Sequence, residues 1–120
     1  DNGEVLGAVA GEQESCGPLL STYMRMGIDN NIDEVMKLQG FLNTEMGSGL
    51  PETGFFGPLT HEAVDAFQIK YWEDVLKPWF GFPESAIKDQ DDATGYVYKT
   101  TRWKINDLFC PGSEALPVLP

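Results

Sequence analysis

Basic residues are scarce in this chain. Eight Lys and Arg stand against nineteen Asp and Glu over 120 residues, a formal net charge of -11. Nucleic acid and anionic membrane surfaces both need basic patches, so this balance argues against either as a partner. Long apolar runs are absent too. None approaches the roughly 20 residues that span a bilayer. Histidine occurs once, as His61. Nucleophilic catalysis needs a nucleophile and a base within reach, and catalytic zinc commonly takes three protein ligands. His61-Glu62 does not continue into HExxH. Among the many acids no particular pair stands out for glycoside cleavage. The expectation is a protein that is not an enzyme, with no cofactor and no metal centre.

Cysteine is limited to Cys16 and Cys110. An even count, with one near each end of the candidate core, points to a single disulfide closing most of the chain and to an exported protein. Two separate buried thiols are the alternative. The chain opens on Asp1 rather than Met, which fits a trimmed chain or a mature one whose signal peptide has been removed. What is present is a globular composition, 42% hydrophobic and 12% aromatic, enough for one domain with a modest core.

Residues 1–15 read as an N-terminal arm, rich in Gly and Glu around one apolar run, Val5-Leu6-Gly7-Ala8-Val9-Ala10. They form either a flexible leader or an arm that adds to a neighbour's sheet edge. Leu19 to Met26 is a short strand or extended segment. Asn31 is a good N-cap with Glu34 three residues on, a capping-box start. Val35, Leu38, Phe41 and Leu42 then form an apolar stripe ending near Glu45 to Gly47. Leu50 to Gly54 reads LPETG, a sortase sorting motif by letter. It lies in mid-domain and a helix follows, so it reads as a structural turn.

A second helix is expected from Pro58 to Trp72, with Pro at its first position. Tyr71, Trp72, Val75, Leu76, Trp79 and Phe80 form an aromatic and aliphatic cluster, expected as a short helix broken at Pro78. It serves as core or as a sugar-stacking platform. Residues 81–93 make a loop in which Asp89, Asp91 and Asp92 resemble calcium ligands, without the twelfth-position Glu of an EF-hand. An acidic solvated loop is the plainer reading.

Thr53 to Gln68, TGFFGPLTHEAVDAFQ, aligns without gaps over Thr94 to Phe109, TGYVYKTTRWKINDLF. Gly54 meets Gly95, Thr60 meets Thr101, Val64 meets Ile105 and Phe67 meets Leu108. Each copy is a Thr-Gly turn, two apolar residues, a Thr in the first helical turn and an amphipathic helix. The glycines should supply a backbone conformation that other residues resist. The apolar residues of both copies should face one core with the first helix.

Leu38-Gln39, Leu42, Thr53-Gly54, Phe56-Gly57, Thr60, Ala63-Val64 and Phe67-Gln68 together resemble the peptidoglycan-binding-like domain, a small three-helix module of bacterial cell-wall hydrolases and envelope proteins. The Cys before the first helix, the TGYVYKTT turn, the KIN helix and the closing Cys are similar to versions in secreted proteins of candidate-phylum bacteria. The resemblance spans about residues 16–110, leaving 1–15 as an arm and 111–120 as a Pro-rich tail. It implies a mainly α fold and an extracellular module that binds peptidoglycan or another envelope glycan in a shallow groove. Candidate contacts, in or beside the two turns, are Phe55, Thr60, His61, Tyr96, Tyr98 and Arg102. The competing expectation is a self-assembling subunit of an extracellular filament or surface layer. Its tails would dock on neighbours through Val5, Leu6 and Val9 and through Leu116, Val118 and Leu119.

Overall fold

The structure is a computed structural model and describes residues 16–120. The expected arm, with Val5, Leu6 and Val9, lies outside the described residues. The chain is mainly helical: α1 (Ile32–Met46), α2 (Pro58–Lys70), α3 (Trp72–Val75), a 3-10 turn (Lys77–Trp79) and α4 (Lys99–Phe109). α1 packs on α2, and α3 packs on both α2 and α4. The described residues contain no strand. Leu19 to Met26 is extended and makes one isolated antiparallel bridge, Met24 to Val97, through N–H···O bonds of 3.0 and 2.8 Å.

The helix ends follow local chemistry. The Asn31 side chain accepts from the Glu34 N–H at 3.0 Å, and α1 stops where Gly47 turns left-handed at φ 65°. The capping box is not made. The Glu34 carboxylate turns to the extended segment and accepts from Ser21 N–H at 2.7 Å and Thr22 N–H at 3.0 Å. Three unmet donors there outcompete the Asn31 N–H that a capping box would use. α2 begins on Pro58 and ends at Lys70, short of Trp72, because a turn at Tyr71 separates it from α3. Pro78 lies inside the 3-10 turn.

One cluster forms the core. Leu20 and Met24 of the extended segment meet Val35, Leu38 and Leu42 of α1, and Val64 and Phe67 of α2. Leu50, Ala63 of α2, Phe56 and Val97 of the two turns and Ile105 of α4 complete it. Both copies of the repeat thus feed one core, although Phe55, Leu59 and Phe109 stay exposed, and one matched pair differs. Phe67 is fully buried under Phe41 and Tyr71, whereas its counterpart Leu108 is 36% exposed. α4 ends one residue later, and no aromatic pair covers Leu108 among the described residues.

Cys16 and Cys110 are joined, with Cα atoms 6.1 Å apart at a sequence separation of 94. Beside this bond Asn106 holds Leu20 from both sides, accepting from its N–H at 2.8 Å and donating to its carbonyl at 2.9 Å. Residues beyond Cys110 fold back along α4. Glu114 accepts from Arg102 at 2.9 Å and from Asn106 at 2.7 Å, and its carbonyl accepts from the Trp103 indole at 3.0 Å.

Candidate functional site

The two Thr-Gly turns are built alike. Gly54 and Gly95 have φ of 83° and 70°, the left-handed region that favours glycine. The Thr53 and Thr94 hydroxyls accept from the N–H two residues on, at 3.2 and 3.1 Å. Each turn is then clamped by a buried glutamine from the preceding long helix. Gln39 Oε1 accepts from Gly54 N–H at 3.0 Å, while its Nε2 donates to the Phe55 carbonyl at 3.0 Å and the Thr60 hydroxyl at 3.1 Å. Gln68 repeats this with Gly95 N–H at 3.0 Å, the Tyr96 carbonyl at 3.0 Å and the Thr101 hydroxyl at 3.0 Å. It adds Thr94 N–H at 2.9 Å. Nearly every hydrogen-bonding valence of both buried amides is filled, as burial requires.

LPETG is part of the first clamp. Leu50 is buried and bonded through its N–H and carbonyl to Asn43, at 2.6 and 2.9 Å.

The second turn carries an aromatic wall. Tyr96 stacks on Tyr98 with centroids 5.1 Å apart, Tyr98 on Trp79 at 6.0 Å, and Trp79 meets Phe82 at 6.0 Å. Trp79 is held in place by donating its indole N–H to the Thr100 hydroxyl at 3.0 Å, which itself donates to the Val75 carbonyl at 2.7 Å. These rings line a pocket of about 330 Å³ between α4 and the 81–93 loop. Cations rim the wall. The Arg25 guanidinium lies 5.5 Å from the Tyr96 centroid, Lys99 lies 5.8 Å from Tyr98, and Arg102 lies 4.7 Å from Tyr23. Tyr23 in turn meets Tyr98 edge-on at 4.7 Å. On so acidic a protein, three of the cations gather at one place.

Of the residues singled out in the sequence, Tyr96, Tyr98 and Arg102 are brought together here. Phe55 is 72% exposed on the first turn and belongs to a different surface. Thr60 is buried and spends its hydroxyl on Gln39. His61 lies against Gly95, close enough that a Cβ at that glycine would overlap the imidazole. Its Nε2 is 3.5 Å from Asp65, and burial pushes the Asp65 carboxyl up, with Glu62 adding to the rise and His61 opposing it. Trp79, Phe82, Tyr23 and Arg25 complete the wall. Sequence reading reached only Trp79, as a member of an aromatic cluster.

The acidic loop uses its own carboxylates. Asp92 accepts from the N–H groups of Lys88 and Asp89 at 2.8 and 3.1 Å, and Asp89 accepts from Asp91 N–H at 2.9 Å. Among the described residues no group of three or more His, Cys, Asp or Glu is gathered where a metal ion could be held. No helix among them is long and apolar enough to cross a membrane. No protein-family model, curated protein or solved structure matches this chain.

Proposed function

We propose that this chain is a peptidoglycan-binding-like module whose three long helices are α1, α2 and α4, working outside the cell, that holds an envelope glycan without turning it over. The observation that carries this reading is the aromatic row beside the second turn, in which Trp79, Tyr98 and Tyr96 stack and Phe82 lies tilted against Trp79. An aromatic-lined groove suits the apolar faces of sugar rings, and half-buried tyrosine hydroxyls remain to bond their edges. Arg25 and Lys99 on the rim suit carboxylate substituents. Thr60 and Gln39 act by shaping the first turn, and His61 by backing the second. The disulfide fits an oxidising compartment.

Retention on purified sacculi tests the reading. The wild-type chain should be retained above an unrelated protein of equal acidity. Trp79→Ala should lose about tenfold in affinity, the equivalent of roughly 1.4 kcal/mol of lost stacking. No retention above the acidic control would end the proposal.

A second reading is a self-assembling subunit. It is favoured by Leu116 and Val118, which are exposed on a tail that is pinned at Glu114. Sedimentation of the full chain at high concentration separates the two: a persistent monomer rules out assembly.

A further inference from the structure

We infer that the aromatic pocket is a site for an extended, proline-containing peptide, and that residues 115–120 of this chain are its resident occupant. Pro120 forms one side of the pocket beside Trp79, Phe82, Tyr96 and Tyr98. The Lys99 ammonium donates to two alternate backbone oxygens of the segment, that of Val118 at 3.1 Å and that of Pro120 at 2.7 Å. Side chains alternate as well. Leu116 and Val118 stand out in solvent, while Pro117 and Leu119 are half-buried.

The contacts with the site therefore fall on Pro120 and on two alternate backbone oxygens of the segment. This is how extended proline-rich segments are read by aromatic grooves. The ring fixes φ and lowers the entropy lost on docking, and the exposed carbonyls serve as acceptors. The tether is short. Glu114 is fastened to Arg102 and Asn106, so the segment is delivered at high effective concentration. The peptide site does not depend on the glycan reading. Where both hold, tail and glycan compete for the same rings.

The test uses the full chain, labelled for NMR, with the tail weakened by Pro117→Gly and Pro120→Gly together. The synthetic peptide ALPVLP should shift the Trp79 indole N–H of this variant, at an affinity at least tenfold tighter than for the wild type. A peptide with both prolines replaced by alanine should not bind. Adding Lys99→Ala to the variant should abolish peptide binding, with the rest of the spectrum unchanged. No peptide-induced shift in the variant, or an equal shift with the alanine peptide, overturns the inference. Sacculi retention measured on the same variant reports separately: peptide binding without retention ends the glycan reading alone.

Discussion

Gln39 and Gln68 hold the two Thr-Gly turns by the same three bonds: one from a glycine N–H, one to the carbonyl after it and one to a threonine hydroxyl. The repeat is thus a repeat of a clamp as much as of a turn. Replacing either glutamine by alanine leaves a buried glycine N–H and a carbonyl without partners. Gln68→Ala should cost about 3 kcal/mol, and Gln39→Ala somewhat less, since Gln68 also holds Thr94. Urea denaturation midpoints, with an unchanged slope, would report this.

Gly95 and His61 form a steric pair. Gly95→Ala should be destabilising for two reasons, the left-handed backbone and the overlap with the imidazole. In a double-mutant cycle His61→Ala should recover the steric part and leave about 1 kcal/mol of backbone cost. Additive effects of the two substitutions would refute the contact.

Two carboxylates should respond to pH with opposite sign. Burial alone would raise the Glu34 pKa. The N–H groups of Ser21 and Thr22, the Thr22 hydroxyl and Lys37 outweigh it and hold the carboxyl below the ordinary glutamate value of 4.5. Its stabilising contribution is therefore full above that value and lost as pH falls through the lowered pKa. Glu34→Gln should cost up to about 2 kcal/mol at neutral pH and little in acid.

Asp65 runs the other way. Its folded pKa is raised by burial above the ordinary 3.8. Its contribution is full below that value and is lost as pH rises through the raised pKa. Asp65→Asn should stabilise at neutral pH by less than about 1 kcal/mol, because the group is partly solvated, and should have no effect in strong acid. Urea denaturation at a series of pH values distinguishes both cases.

Reduction of the Cys16–Cys110 bond should lower stability by up to about 4 to 5 kcal/mol, the chain-entropy value for a loop of 94 residues. Denaturation with and without reductant, at matched pH, measures it.

Local chemistry was the legible part of the sequence. The Asn31 cap, the Pro58 start, the glycines of the two turns and the α1 stripe all depend on neighbours within a few residues, and the structure has them. Glu34 escaped because its partners, Ser21 and Thr22, come from a separate segment that offers three donors at once. Gln39 and Gln68 were visible as motif letters, but their role as clamps depends on contacts reaching well along the chain. The aromatic wall draws Tyr23 and Arg25, Trp79 and Phe82, and Tyr96 and Tyr98 from three segments. Only closure of the core brings those segments together. Leu108 shows the limit of the repeat itself, since a matched position buries its side chain only where something covers it.

The Cys16–Cys110 bond has a mechanical consequence. A pull applied to the chain on either side of these residues passes directly from one sulfur to the other. The chain between them carries no tension. The helices and the clamped turns thus lie off the load path, whereas the segment after Cys110 that reaches the aromatic pocket lies on it. Under such a pull the two glutamine-clamped turns would keep their shape until the covalent link was reduced.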